Sequence, residues 1–375
     1  METCDVLVLG GGPGGSSVAW GLRRAGLDVV VMDRRRFPRD KICAGWITPQ
    51  ILEELAIDPS LYAKERVLQP IHGFRVRRVG DAEARTHSPD PISYGIRRCE
   101  FDHFLLERSE ARCRLGEPLG SLERRGDRWI VNGRLETPVV VGAGGHFCPL
   151  ARRLSEAGPE GEPIVAAQEL EYELPPSQRA GCAVEAEVPE LFFSADLKGY
   201  GWVFRKGDFL NVGLGRQDRA HLSTHVERFL AFLRAEGKLP GPLPGRPRGH
   251  AYLLYAQAPR RWVDDGVLLV GDAAGLAYPR SGEGIRPAVE SGLLAARHLA
   301  GTRGFDAAAL APYAEALEAR LGPRSPRLRI GFTDLLPAPW VQRLAGRLFA
   351  SPWFARHVVV DRWFVHAHEP ALGSS

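Results

Sequence analysis

The sequence lacks most of the features that would make a secreted, metal-dependent or membrane-spanning reading direct. Its six cysteines (Cys4, Cys43, Cys99, Cys113, Cys148, Cys182) show no C-x-x-C spacing, so neither a disulfide framework nor a structural zinc site is expected. No uncharged apolar run reaches the length of about 18 residues that a membrane span needs. Neither G-x-S-x-G nor H-E-x-x-H occurs, and hydrolase readings fall away. Lysine is scarce, with none between Lys64 and Lys198. The net charge of +4 is small for 375 residues and is spread along the chain, which leaves no nucleic-acid footprint. The first apolar run starts at Val6, close to Met1, so no secretory leader is expected and the setting is read as cytoplasmic.

What is present is ordinary globular composition, 44% hydrophobic and 25% charged, in a chain long enough for two domains. After Asp5, residues 6–9 form an apolar run, and Gly10-Gly11-Gly12-Pro13-Gly14-Gly15 opens a helix-like segment. Val29-Val30-Val31-Met32-Asp33 then ends a second apolar run in an acid. This is the pattern of a dinucleotide-binding βαβ unit. Gly10 makes the tight turn, Gly12 admits a pyrophosphate, Gly15 lets the helix pack on the strand, and helix-start amides face the anion. Asp33 is placed to accept from a ribose hydroxyl. The arginines that follow, Arg34, Arg35, Arg36 and Arg39, meet a dinucleotide phosphate or an incoming NADPH 2′-phosphate, or else line a solvated loop.

Further on, 66–96 reads as short strands, and a helix start is expected at Asp102. Val139-Val140-Val141 reads as a buried strand returning to the first sheet. Segments Cys182–Val188 and Gly201–Leu214 alternate like antiparallel strands, and Leu239–Pro247 is a proline-rich connection. Val267–Val270 is a buried strand, Gly282-Glu283-Gly284-Ile285 leads into a long helix, and the chain is helical from about 306. The histidine groupings His221/His225 and His366/His368 with Glu369 read as surface residues, and no metal is expected.

The glycine-containing strand ends near 10, 142 and 271 together resemble the FAD-dependent oxidoreductases of the aromatic hydroxylase superfamily. That resemblance implies an α/β fold: a Rossmann-like FAD-binding domain (1–70, 96–162, 250–305), an inserted antiparallel β-sheet substrate domain (71–95, 163–249) and a helical C-terminal segment (306–375). It also implies that Gly271 and Asp272 bind flavin ribityl and pyrophosphate groups. The helix start at Gly282, Gly284 and Ile285 would face the flavin ring, where its dipole stabilises negative charge. Arg98, of the pattern Arg98-x-x-Phe101-Asp102, is expected to face FAD.

Within the superfamily the chain is most similar to the geranylgeranyl reductase branch. Tyr200-Gly201-Trp202-Val203-Phe204-Arg205, followed by Gly213-Leu214-Gly215, resembles that branch's Y-x-W-x-F-P-x7-G-x-G motif. Lys41-Ile42-Cys43-Ala44-Gly45 resembles its segment beside the flavin, with Lys41, Ala44 and Gly45 as cofactor contacts. Two departures stand out. Arg205 replaces the motif's proline and would bring a cation toward the substrate. Gly144 replaces an aspartate associated with NAD(P)H, so the donor, NADPH or another reductant, stays open.

Tyr200, Trp202 and Phe204 share one strand face, either as an apolar wall for a prenyl chain or as sheet core. Cys43 is a candidate proton donor or redox thiol, or inert packing, and Tyr200 is a second catalytic candidate. The implied function is reduction of C=C bonds in a hydrophobic, isoprenoid-like or lipid substrate. The rivals are a flavin monooxygenase, a halogenase and a flavin electron carrier with no organic substrate. The aromatic and basic stretch from Leu335 to Phe364 lies on a membrane interface or packs on the domain. A redox partner protein remains open.

Overall fold

The computed structural model describes residues 1–155, 162–218, 221–255, 257–324 and 338–373, with side chains from 343 onward in the last stretch. Its contacts divide the chain into two compact units, one drawn from Met1–Asp40, Cys99–Pro163 and Tyr252–Pro326, the other from Lys41–Arg98, Ile164–Ala251 and Arg327–Ser375. Residues 41–70, expected with the nucleotide-binding part, group with the second unit, because Trp46–Ile47 and Leu68–Ile71 both pair with Ser93–Ile96. The helix Ala307–Leu321, expected in a separate C-terminal segment, groups with the first unit, where Leu310, Tyr313 and Leu317 are buried.

The first unit is built on a six-stranded sheet in the order Val263–Asp264, Val267–Leu269, Val139–Gly142, Val6–Leu9, Val29–Asp33, Arg112–Leu115. All neighbours but the edge pair run parallel. Its central strands are continuous runs of valine and leucine because helices cover both faces of such a sheet. Val6, Val29, Val139 and Val267 are all almost wholly buried. A smaller sheet of Glu2–Thr3, Leu135–Thr137, Arg128–Val131 and Leu122–Arg125 adjoins in sequence.

Helix Pro13–Arg24 packs on helix Ile285–Gly301. The approach needs small residues, since a Cβ on Gly292 would stand 2.4 Å from the Gly14 carbonyl oxygen. The helix expected to begin near Asp102 runs Arg98–Arg108. Asp102 sits inside it and is fully buried, paired with Arg39 rather than capping.

In the second unit a seven-stranded sheet runs in the order Arg248–Leu253, Ile164–Glu173, Phe209–Arg216, Gly199–Lys206, Glu190–Phe193, Arg75–Arg78, Ala84–Arg85. Gly199–Lys206 and Phe209–Arg216 pair as a hairpin, within the antiparallel sheet expected around 201–214. One face packs on helix Leu222–Ala235 through Leu170, Val203, Val212, Phe229 and Leu233. Cys182–Val188 is not a strand. Its alternation is overridden by side-chain anchoring: Val184 is buried, and Glu185 pairs with Arg75 and Arg85. The strand begins instead at Glu190. No described helix is long and apolar enough to cross a membrane.

Gly15 tests the turn that ties the first strand to its helix. A Cβ there would lie 1.9 Å from the Gly10 carbonyl oxygen, whereas one on Gly181 would meet nothing within 4 Å. Gly15→Ala should cost roughly 3 kcal/mol and Gly181→Ala less than about 0.5 kcal/mol, read as urea midpoints. Equal midpoints would show that the turn tolerates a side chain.

Candidate active site

In the first unit the three glycine-containing strand ends converge. Gly10 has φ +115° and its missing Cβ would stand 2.4 Å from the Ala143 carbonyl oxygen, so only glycine fits this approach. A Cβ on Gly14 would lie 3.1 Å from the Ala288 carbonyl oxygen and 3.3 Å from Val270. Pro13 takes the first helical position, and Gly12 caps the helix without a side-chain hydrogen bond. Asp33 is buried, its Oδ2 accepting from Gly11 N at 2.9 Å and its Oδ1 from Arg35 N at 2.8 Å. The acid therefore braces the glycine turn, with further lone pairs left for a ribose hydroxyl. Arg34 is exposed beside it.

Arg39 is the arginine that returns to the turn. Its guanidinium lies over the Phe37 ring, its Nη1 is 3.3 Å from Asp102, and a Cβ on Gly12 would find Arg39 Nη2 at 3.6 Å. A buried aspartate thus holds a cation above an uncapped helix start, which suits an anionic diphosphate. The sequence signal was present in Asp102 of the Arg98 motif, but nothing in it linked that acid to residue 39.

The Gly271–Ala273 turn follows Val267–Leu269 directly. Arg260, 2% exposed, latches it by donating from Nη1 to the carbonyls of Asp272 and Ala273 at 3.2 and 3.0 Å. It is held in turn by Glu162 through a two-pronged pair at 2.6 and 2.7 Å. Burial pushes the Glu162 carboxyl up, but the Arg260 guanidinium, together with the Ser155 hydroxyl and His146, more than offsets this and leaves it below its ordinary value. Gly284 faces Asp272, where a Cβ would stand 3.0 Å from Oδ1, and Gly282 packs against Tyr252. Ile285 is buried at the start of the long helix. Arg260 and Glu162 carried no motif and were missed.

The second unit gathers a different set. Residues directly opposed across antiparallel strands share a face, and the register places Trp202 beside Gly213 and Glu169, and Phe204 beside Asn211 and Glu171. A Cβ on Gly213 would stand 2.3 Å from the Trp202 ring, so this glycine is the bed on which the indole lies. The indole N–H donates to Asn211 Oδ1 at 2.7 Å. Tyr200 stands on the same face against Trp202, Phe193 and Phe364. Arg205 does not join this row: strand alternation turns it to the opposite face, where its Nε donates to the Gly207 carbonyl at 3.0 Å. The cation on the aromatic face is Lys206, 1% exposed.

Onto this face folds the segment Lys41–Trp46. Cys43 N donates to Glu169 Oε1 at 2.6 Å, and Cys43 O accepts from Asn211 Nδ2 at 3.3 Å. Lys206 Nζ donates to the carbonyls of Ala44 and Ile96, both at 2.9 Å, and pairs with Glu171. Gly45 has φ +67°, and its missing Cβ would stand 2.2 Å from the Ile96 carbonyl oxygen. Cys43 is half-buried, its Sγ accepting from Gly45 N at 3.4 Å, and Lys41 Nζ lies 3.0 Å from His250 Nε2. Arg98 is buried at its helix start.

Of the C-terminal aromatics, Phe349 and Trp363 pack against Phe193, and Phe364 stacks on Trp46 at 5.2 Å. Leu344, Leu348 and Trp353 are exposed. Leu335, Leu336 and Pro337 lie outside the described residues, as does the Trp340 side chain. His366 and His368 both lie near Glu369 Oε1, at 3.3 and 3.7 Å.

Residues 8–39 match the model of an NAD(P)-binding Rossmann-like domain. Menaquinone reductase of Mycolicibacterium smegmatis is 30% identical over 78% of this chain and 75% of that protein. The chain belongs to the geranylgeranyl reductase family. Members of this family of flavoprotein oxidoreductases include digeranylgeranylglycerophospholipid reductase of Methanocaldococcus jannaschii, 26% identical over 78% of this chain and 76% of that one. A geranylgeranyl bacteriochlorophyll reductase-like structure from Thermoplasma acidophilum superposes with a TM-score of 0.76 at 20% identity, covering 98% of this chain and 97% of its own. It shares the fold. In this family member a buried ion pair braces the Gly271–Ala273 turn, beside the Ser291 hydroxyl that accepts from Gly271 N at 3.0 Å.

Arg260→Leu leaves Glu162 buried without its partner, at a cost of about 3 kcal/mol near neutral pH. In the wild type Glu162 titrates below its unfolded value, so its contribution is present above that value and lost as pH falls through the folded one. In the variant the upward push of burial has lost its main counterweight, with the Ser155 hydroxyl and His146 still opposing it, so protonation costs less than in the wild type. Thermal melts should therefore show a gap between the two proteins that narrows toward acid pH; a gap independent of pH would remove Glu162 from the latch.

Proposed function

We propose that this protein is an FAD-dependent reductase that saturates C=C bonds in a hydrophobic, isoprenoid-like substrate. The observation that carries the reading is the row of Tyr200, Trp202 and Phe204 on the same sheet face as the Cys43 loop. Two relatives named for reduction of menaquinone and of a digeranylgeranyl lipid support the substrate class.

The first unit fits a dinucleotide. The uncapped helix start at Gly12, the adjacent Arg39 and the Asp33 carboxylate suit a diphosphate and a ribose. Gly271, Asp272, Gly282 and Gly284 would take the rest of FAD, with the helix dipole at Ile285 favouring negative charge. When bound, reduced FAD supplies a hydride. The residues of the second unit hold an alkene, exclude water with the aromatic face, and deliver a proton to the other carbon. Cys43 and Tyr200 are the candidate donors. NADPH or a redox partner protein would renew the reduced state. The exposed Leu344, Leu348 and Trp353 suit peripheral contact with a membrane that holds such a substrate.

The test is to load the protein with FAD, reduce it without air, and supply menaquinone or a digeranylgeranyl phospholipid. Product gaining two hydrogens at a chain double bond is expected. Unchanged substrate under anaerobic conditions, with a product gaining oxygen once air is admitted, would replace this reading with a monooxygenase. Arg39→Ala should weaken FAD binding by about tenfold, and Gly12→Val should abolish it; unaltered flavin content in both would remove the dinucleotide assignment.

A further inference from the structure

A buried carboxylate lies directly under the Cys43 loop, and no part of the proposed reduction uses it. Glu169 stands on Ile164–Glu173, 5% exposed. Both of its oxygens face donors: Oε1 takes Cys43 N–H at 2.6 Å, and Oε2 takes Asn211 Nδ2–H at 3.3 Å. Asn211 has no freedom to turn its amide round, because its Oδ1 is held by the Trp202 indole, which can only donate. The same Nδ2 also reaches Cys43 O and Glu171 Oε2, each at 3.3 Å. The peptide of Cys43 is thus gripped at its N–H by Glu169 and at its C=O by Asn211. Lys206 grips the next carbonyl, that of Ala44.

We propose that Glu169 is a positioning residue whose charge state sets the geometry of the Cys43–Gly45 loop. An ionised carboxylate satisfies both donors. Protonation replaces one of these charged acceptors with a neutral oxygen whose O–H can turn to the neighbouring Glu171 carboxylate, so the charge-assisted bond to Cys43 N–H or to Asn211 Nδ2–H weakens and one side of the grip loosens. Among the described residues, the charged and titratable groups around Glu169 include Glu171 on the same strand, Lys206 on Gly199–Lys206, Arg97 3.5 Å from Glu171, and Cys43 itself, with the Lys41–His250 contact at the start of the loop. Burial raises Glu169 most. The Cys43 N–H and Lys206 oppose it, the nearby Glu171 adds to it, and the balance stands at about 7. The loop is therefore poised to change near neutrality.

Any consequence for turnover rests on the reductase reading; the grip on the loop does not, and it is measured on the protein alone. The rate of Cys43 alkylation by iodoacetamide, read by peptide mass spectrometry to separate it from the other cysteines, is followed across neutrality in the wild type and in Glu169→Gln. Glutamine presents an acceptor at one end and a donor at the other, and so stands in for the protonated acid at every pH. The two rates should coincide on the acid side and separate above neutrality, the wild type becoming about tenfold slower as the carboxylate closes its grip. Rates that stay in one constant ratio across neutrality would overturn the proposal.

Amide hydrogen exchange in the wild type gives a second readout that needs no variant to fold. Corrected for intrinsic rates, protection at Cys43 should fall about tenfold as pH drops through neutrality, while amides in Val139–Gly142 hold theirs. Protection at Cys43 that does not change would also overturn it. Absence of bound flavin or of reduced product would instead count against the reductase reading and would leave both of these measurements intact.

Discussion

Backbone meeting backbone at Gly10 is the constraint on which the first unit depends. The end of one strand lies so close to the Ala143 carbonyl that no side chain fits, and the helix after it returns over Gly15 to within contact of the same turn. This crowding lines up the ends of three parallel strands, because Val139–Gly142 is bonded to Val6–Leu9 on one side and to Val267–Leu269 on the other. Everything that suits a dinucleotide hangs from that alignment: the uncapped helix start, the acid that braces the turn, and the Gly271–Ala273 turn latched by Arg260. Charge enters only after the backbone has cleared the space, with Arg39 brought over Gly12 by the buried Asp102.

The second unit solves a different problem, that of seating an irregular loop on a flat apolar sheet face. An unpaired peptide buried there would cost free energy for each orphaned N–H and C=O. The sheet offsets this by substituting Glu169, Asn211 and Lys206 into positions that would otherwise be apolar, one for each main-chain group to be satisfied. The glycine-rich partner strand serves the same end, since Gly213 gives up its side chain to the Trp202 ring and thereby aims the indole N–H at Asn211. Aromatic motif, glycine motif and polar underlay are one packing arrangement.

The sequence was most legible where physical chemistry is local. The βαβ turn, the acid at Asp33, the returning strand at Val139 and the antiparallel strand character around 201–214 all declared themselves by period and glycine spacing. Contacts between distant residues were not legible. Asp102 looked like a helix start because it precedes an apolar run, yet it is an interior residue that carries Arg39. Cys182–Val188 alternated without forming a ladder, since arginines from elsewhere claimed its glutamate. Arg205 drew attention because it replaced a motif proline, while the cation that reaches the loop is its neighbour Lys206, one residue along and therefore on the other face. Glu169 and Glu162 carried no signal at all, because an isolated glutamate reads as surface until its partners are known.

The division of the chain has a bearing on how the protein is made. Neither unit is continuous, since each is assembled from three separate stretches. The strand Val267–Leu269, which pairs with Val139–Gly142 in the central sheet, is synthesised more than a hundred residues after it. On the ribosome, the parallel sheet therefore waits with one edge of its central valine strand unpaired until most of the chain has emerged. An unpaired strand edge is a template for pairing with another chain, and only the late arrival of Val267–Leu269 closes this one.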